Sequence, residues 1–87
     1  MNEEELIARW IERNPNKPSP DEVVIRDFYV PVWALIGNGA ANKECVEQVA
    51  ADYALPLEAV EAAVAYYRLN KAFIDVRLAQ NAAYFAD

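Results

Sequence analysis

The sequence predicts a mainly α-helical fold, and three observations support this prediction. The chain of 87 residues contains only two glycines, and its alanine-rich segments are long and periodic. Across residues 45–67, CVEQVAADYALPLEAVEAAVAYY, apolar residues recur at helical spacing on both sides of Pro56. Proline suits a first helical turn and not a helix interior. We therefore predict two helices joined by a tight turn, with the remaining elements arranged around them.

The order of small and branched residues in this segment matches a helix-turn-helix motif. Such a motif needs a small residue inside the first helix, another at the turn, and a branched apolar residue inside the second helix. These residues let the two helix axes cross closely. Ala50, Ala54 and Val60 meet the three demands in order. An ordinary αα-hairpin has the same periodicity, so both interpretations stay open.

Length and composition predict one small domain that a partner would stabilise. A chain of this size buries only about two-thirds of its unfolded surface. Its apolar fraction is 55%, and it has two tryptophans and three phenylalanines to bury. These features favour a homodimer or an obligate partner. The net charge of −6 disfavours non-specific attraction to nucleic acid and to anionic membranes. Because we find neither a membrane-spanning run nor a signal peptide, we expect a cytoplasmic protein.

Catalytic and metal-binding chemistry has little support in the sequence. The chain has no histidine, a single cysteine (Cys45) and no glycine-rich phosphate loop. The acidic residues are spaced along predicted helices, where carboxylates are usually solvated. We therefore expect no enzymatic activity, no cofactor and no metal, and we expect Cys45 to be a buried or half-buried thiol.

The N-terminal segment predicts a helix followed by a loop. Residues 1–13 carry three glutamates at positions 3–5, which favour the start of a helix. Leu6, Ile7 and Trp10 form an apolar stripe along it. The stripe either packs on the core or forms an arm that grips another chain. Residues 14–21 contain three prolines and predict a loop.

Shorter elements follow this loop. Residues 23–26 predict a short β-strand, which needs a partner for its backbone groups. That partner is a second copy or another protein, unless the segment is extended coil. Residues 31–37, PVWALIG, predict a short helix that proline opens and glycine ends. Asn42 is the expected N-cap of a helix over residues 43–53, and we expect a break at residues 70–71.

The predicted motif is poorly suited to bind DNA alone. The start of the second motif helix is the part that enters the major groove, and here it carries Glu58 and Glu61. A glutamate can accept a hydrogen bond from cytosine, but two of them repel phosphates. The candidate DNA-binding residues are the nearby cations Lys43, Arg68 and Lys71. We expect DNA binding only if a dimer or a second protein supplies more positive charge.

Two runs of the sequence resemble the domain of unknown function 433 family. They are VIRDFYVPVWALI and VEQVAADYALPLEAVEAAVAYYRLNKAFIDVRLAQNAA. The resemblance covers residues 24–83. The strongest matches are PVW at residues 31–33, VAADY-x-L at 49–55, the segment 63–67 and Ile74-Asp75. The resemblance implies a small helix-turn-helix protein of the VapB-like antitoxin type. Such proteins occur in bacteria and archaea and are commonly encoded beside a PIN-like ribonuclease toxin.

The chain departs from the family pattern in three places. The family often has Gly-Thr-Arg directly before the Pro-Val pair, where this chain has residues 28–30, FYV. None of residues 28–30 is the arginine of the family's triplet. The family often begins the second motif helix with Ser-Pro, whereas this chain has Pro56 and Leu57, so the side-chain cap is lost. The N-terminal helix is additional to the family pattern.

Together these observations predict a homeodomain-like helix-turn-helix core over residues 23–87, with an extra N-terminal helix and loop over residues 1–22 and a short β-strand. Length and composition favour a homodimer, and the resemblance implies an antitoxin that covers the acidic, metal-binding site of a PIN-like ribonuclease. Because the chain is itself acidic, we expect an apolar contact or one made by arginine and lysine. The candidate partner-binding residues are Leu6, Ile7, Trp10, Tyr84 and Phe85. The alternatives are a transcriptional regulator of its own promoter and a structural homodimer without DNA binding.

Overall fold

The computed structural model describes residues 2–85, with the backbone alone for Lys43 and residues 83–85. This part of the chain is mainly helical, which confirms the predicted fold class. Two short 3-10 segments, Pro20–Glu22 and Lys43–Cys45, connect the longer elements. The strands are β1 (Ile11–Glu12) and β2 (Val24–Ile25), and the α-helices are α1 (Glu3–Trp10), α2 (Val32–Gly37), α3 (Val46–Tyr53), α4 (Leu57–Leu69) and α5 (Lys71–Phe85).

Helix α4 forms the centre of the core. Its buried residues are Ala59, Val60, Ala62, Ala63, Val64 and Ala65. Most of them are alanines, so α1, α2 and α3 pack closely against this helix. Ile25, Leu35 and Ile74 are fully buried and extend the core into β2, α2 and α5. None of the helices within residues 2–85 has both the length and the apolar character needed to cross a bilayer.

The first helix ends earlier than predicted. It begins after Asn2, whose side chain accepts a hydrogen bond from the Glu5 amide at 2.8 Å. It ends at Trp10, not near residue 13, so the predicted end is wrong. The side chain of Arg26 explains this end, because it donates to two of the last helical carbonyls, at 3.1 and 3.3 Å. A cation at that position also suits the negative end of the helix dipole.

The strand at residues 24–25 pairs within its own chain. Strand β1 runs antiparallel to β2, with Ile11 opposite Ile25 and Glu12 opposite Val24. The sequence left this partner open and placed the residues of β1 in a helix. The pairing satisfies the backbone groups of β2 without a second copy or another protein.

Helix α1 packs along α4 of the same chain. Trp10 packs against the buried core, as does Ile11 directly after it. An ion pair of 2.9 Å joins Glu3 at the start of α1 to Arg68 near the end of α4. Of the two alternatives for the apolar stripe, the structure therefore has the one in which the stripe packs on its own chain. Residues on both sides of the predicted boundary at 22/23 contribute to one hydrophobic core.

The predicted boundaries of α2 and α4 are confirmed, and that of α3 is shifted. Pro31 is the N-cap of α2. Asn42 accepts a hydrogen bond from the Glu44 amide at 3.0 Å, but it caps the 3-10 segment and α3 begins only at Val46. Asn70 separates α4 from α5 at the predicted break.

Candidate protein-binding surfaces

The C-terminal helix carries an apolar surface that no other described part of the chain covers. Phe73 is 52% exposed and Val76 is 56% exposed. Two exposed alanines, Ala72 and Ala79, lie on the same side of α5 at helical spacing. We call these four residues the α5 apolar face. Neighbouring large apolar side chains exposed in this way mark interaction sites in soluble proteins.

The opposite side of α5 packs on the core through Ile74 and Leu78, and Arg77 on the flank next to Phe73 ties the helix to the rest of the protein. The Arg77 guanidinium lies 3.3 Å from the Asp21 carboxylate, makes a second ion pair with Glu22, and stacks 4.8 Å from the centroid of the Trp33 ring. The Arg77 side chain is only 20% exposed. Gly37 of α2 also meets α5 closely, since a Cβ atom there would lie 3.1 Å from the Leu78 side chain. These contacts turn the α5 apolar face towards solvent.

The charges at the start of α5 are paired locally. The Tyr67 hydroxyl donates to the Asp75 carboxylate at 2.7 Å, and the Lys71 ammonium makes an ion pair with the same group. Hydrogen bonds from Lys71 and then from Tyr67 lower the pKa of the Asp75 carboxyl. The hydrogen bond to Asp75 is also the main cause that raises the pKa of Lys71. Because the pair is exposed, it orients these side chains more than it stabilises the fold.

A second surface is a groove between α1, α3 and α4, with a volume of ≈ 360 Å³. Its floor is apolar and consists of Leu6, Val46, Leu57, Val64 and three alanines. In the part of the chain whose side chains are described, the rim carries three carboxylates and one cation, namely Glu3, Glu47, Glu61 and Arg68. The cation is the one that pairs with Glu3. We call this surface the acidic groove.

The turn between α3 and α4 positions the floor of this groove. Ala54 adopts a left-handed conformation, with φ of 55° and ψ of 42°. The next amide, that of Leu55, donates to the Ala50 carbonyl at 2.9 Å, which is the pattern of a helix C-terminal cap. Pro56 then leads into α4. Ala50 and Val60, the other two predicted motif residues, are buried in the core. That this pair of helices is a helix-turn-helix of the DNA-binding type stays a prediction.

The loop between β2 and α2 exposes two further aromatic side chains. Phe28 is 44% exposed, and Tyr29 is more exposed still. Tyr29 has a φ of 58°, a conformation that side chains larger than glycine rarely adopt. The Gly-Thr-Arg triplet of the resembled family falls at this loop. The backbone there is held by hydrogen bonds from the Ile25 amide to the Val30 carbonyl and from the Tyr29 amide to the Ile25 carbonyl.

The predicted partner-binding residues do not meet at one site. Leu6 lines the acidic groove, and Ile7 is half-buried on α1. Trp10 packs on the core, with its indole nitrogen buried. Tyr84 and Phe85 lie in the last turn of α5, and their side chains fall outside the described residues.

The candidate DNA-binding cations are engaged with carboxylates where the structure describes them. Arg68 pairs with Glu3, and Lys71 pairs with Asp75. The side chain of Lys43 lies outside the described residues. The start of α4 presents Glu58 and Glu61 on its surface. Within residues 2–85, no cluster of carboxylate and thiol groups is placed to hold a metal ion.

Sequence reasoning missed the α5 apolar face. Phe73, Ile74, Val76 and Leu78 are all apolar, so the pattern places apolar groups on both sides of the helix. Only the docking of α5 decides that Ile74 is buried while Phe73 and Val76 are exposed. The available signal was the spacing of three and four that links Phe73 and Val76 to the alanines at 72 and 79.

The fold and these surfaces define a small, mainly α-helical protein with an apolar helix face and an acidic groove. The model of the family described as Protein of unknown function (DUF433) matches residues 19–67, more than half of the chain. The chain belongs to this family. The matched region runs from the 3-10 segment Pro20–Glu22 into α4 and ends before α5. Searches of the curated proteins and of the solved structures found no match.

Proposed function

We propose that this protein is an antitoxin that binds and neutralises a PIN-like ribonuclease, and that the α5 apolar face is a central part of the binding surface. The observation that carries the proposal is the exposure of Phe73 and Val76 on a helix whose other side packs on the core through Ile74 and Leu78. The resemblance of residues 24–83 to VapB-like antitoxins supports this class of partner. We place the complex in the cytoplasm, and we expect the free antitoxin to be a homodimer.

The charges of the chain support an apolar contact with such a toxin. A PIN-like ribonuclease has an acidic metal-binding site, and this chain has a net charge of −6. Like charges repel, so charge attraction does not bring the two proteins together. Arg68, Lys71 and Arg77 all pair with carboxylates of their own chain. Burial of the α5 apolar face supplies binding free energy that does not depend on charge attraction.

Two apolar side chains are enough to matter for binding. The few side chains that dominate an interface each cost about 2 kcal/mol or more on truncation to alanine, and they cluster near its centre. We therefore expect Phe73→Ala with Val76→Ala to weaken toxin binding by roughly thirtyfold or more. Because both side chains are half exposed in the free protein, the same substitutions should change the free energy of unfolding by less than about 1 kcal/mol.

The first experiment is a tagged pull-down from the native host with mass spectrometry of the proteins that co-purify. We expect a PIN-like ribonuclease in stoichiometric amount. A repeat with the Phe73→Ala, Val76→Ala variant should lose it, whereas Phe28→Ala, an aromatic of similar exposure on another surface, should retain it. Absence of any PIN-like protein contradicts the antitoxin proposal. Retention of the ribonuclease by the α5 variant shows that another surface binds it.

A regulator that binds its own promoter without a partner is the alternative, and the surface of α4 disfavours it. Glu58 and Glu61 lie near the start of α4, where the recognition helix of a helix-turn-helix protein approaches the DNA phosphates. The nearby Arg68 and Lys71 are paired with carboxylates. Tight, salt-sensitive binding of the purified protein to its promoter would support the regulator instead.

A further inference from the structure

We infer that the acidic groove between α1, α3 and α4 binds a cationic amphipathic helix of a partner protein. The partner helix would place apolar side chains on the groove floor and lysine or arginine side chains against the rim. This inference concerns a surface separate from the α5 apolar face. It does not depend on the identity of the protein that the α5 apolar face binds.

The shape of the groove fits the apolar side of a helix. The volume of ≈ 360 Å³ lies near the lower end of the range of about 300–1,000 Å³ typical of small-molecule pockets, so the groove has room for a few apolar side chains of a partner helix. Leu57 is 43% exposed in the groove, although it is a large apolar residue at the start of a helix. Helices that bind in grooves present anchors at spacings of three and four residues, which a floor formed by parts of three helices accommodates.

The charge of the groove selects a cationic partner. Glu47 lies on α3 and Glu61 on α4, so that carboxylates come from two walls of the groove. Among the lining residues whose side chains the structure describes, the one cation is Arg68, and it is already paired with Glu3. Partner lysines or arginines in the groove would therefore meet an excess of negative charge. Charge complementarity of this kind raises specificity and the rate of association.

The same charge disfavours a second copy of this chain as the occupant. The chain has 14 acidic and 8 basic residues, so an approaching copy brings mainly repulsive charge to the rim. Two basic residues of that copy are already paired with carboxylates of their own chain. Lys71 pairs with Asp75, and Arg77 pairs with Asp21 and Glu22. A helix rich in lysine or arginine has the opposite balance.

The test uses the full chain and two synthetic helical peptides. The first peptide contains only leucine and lysine in an amphipathic pattern, and the second has glutamate in place of each lysine. Fluorescence anisotropy measures their binding, and amide chemical shifts locate it. We expect the lysine peptide to bind with shifts centred on Leu6, Val46 and Leu57. The glutamate peptide should bind at least tenfold more weakly, and added salt should weaken binding of the lysine peptide.

Matched variants separate the groove from net charge. Glu47→Gln with Glu61→Gln removes two rim charges, and Glu12→Gln with Asp27→Asn removes two charges from a surface that does not line the groove. We expect the first pair to weaken binding about tenfold and the second by less than twofold. Equal losses in both pairs would overturn the inference, because they report net charge. Shifts centred on the α5 apolar face would also overturn it.

The outcome of this test is distinct from that of the antitoxin proposal. Failure to recover a PIN-like ribonuclease in the pull-down leaves peptide binding to the groove unchanged. Failure of the peptide to bind leaves the effect of Phe73→Ala and Val76→Ala on toxin binding unchanged. A variant with Leu57→Ala adds a second check within the groove, where we expect about fivefold weaker peptide binding and an unchanged thermal midpoint.

Discussion

Replacement of Ala54, in the turn between α3 and α4, by glycine is predicted to stabilise the protein. Its φ of 55° and ψ of 42° lie in the left-handed region, where a Cβ atom crowds the following carbonyl oxygen. This crowding costs roughly 1–2 kcal/mol. Glycine removes the crowding but gives the unfolded chain more entropy, which costs about 0.5–1 kcal/mol. The difference predicts that Ala54→Gly raises the free energy of unfolding by about 0.5–1 kcal/mol.

The assay is urea and thermal unfolding followed by circular dichroism and tryptophan fluorescence. For a domain of this size, the predicted gain corresponds to a rise in the thermal midpoint of about 2–8 °C. Ala51→Gly is the matched control, because Ala51 is an exposed residue inside α3, only three positions earlier. There the same substitution should lower the free energy of unfolding by about 1 kcal/mol. If Ala54→Gly destabilises the protein as Ala51→Gly does, the argument from the left-handed turn is wrong.

Three further predictions concern contacts between distant parts of the chain. Trp10→Ala should lower the free energy of unfolding by about 2–4 kcal/mol in urea titrations, because this side chain packs on the core; an unchanged midpoint would contradict that packing. Arg77→Gln should cost about 1–2 kcal/mol and alter the near-ultraviolet circular dichroism of Trp33, because it leaves two neighbouring carboxylates without their cation. Tyr66→Phe should cost about 0.5–1 kcal/mol at neutral pH, since the hydroxyl donates to the Pro20 carbonyl at 2.6 Å. Burial, and then the charge of Asp21, raises the pKa of Tyr66 above its ordinary value of 10.0, although Arg13 opposes this. The folded protein therefore holds the phenol proton more tightly than the unfolded chain does. The contribution of the Tyr66 hydroxyl to stability is complete below pH 10.0 and is lost as the pH rises through the folded pKa. The difference in unfolding free energy between wild type and Tyr66→Phe should accordingly shrink in alkaline buffer, and a constant difference would refute this assignment.

Much of the helical organisation can be predicted from local patterns in the sequence. Pro31 and Pro56 start helices because proline lacks the amide hydrogen that a helix interior requires. The spacing of three and four residues correctly places Val32, Leu35 and Ile36 on the buried face of α2. Membership of the family also follows from the sequence, since the matched residues carry these same patterns.

Other features depend on contacts that no local pattern contains. Ile11 and Glu12 are acceptable in a helix, but β2 lies beside them and the Arg26 side chain holds the last carbonyls of α1, so the chain turns into a strand there. These partners are more than ten residues away, and only tertiary packing brings them together. Likewise, α5 is apolar on both sides, and the packing of Ile74 and Leu78 on the core, together with the ion pairs of Arg77, decides which side is exposed. The sequence by itself determined the helices and the buried face of α2, because backbone geometry and periodicity act over a few residues. The tertiary structure alone decided where α1 ends and which faces remain for partners, because those outcomes depend on groups distant in the chain.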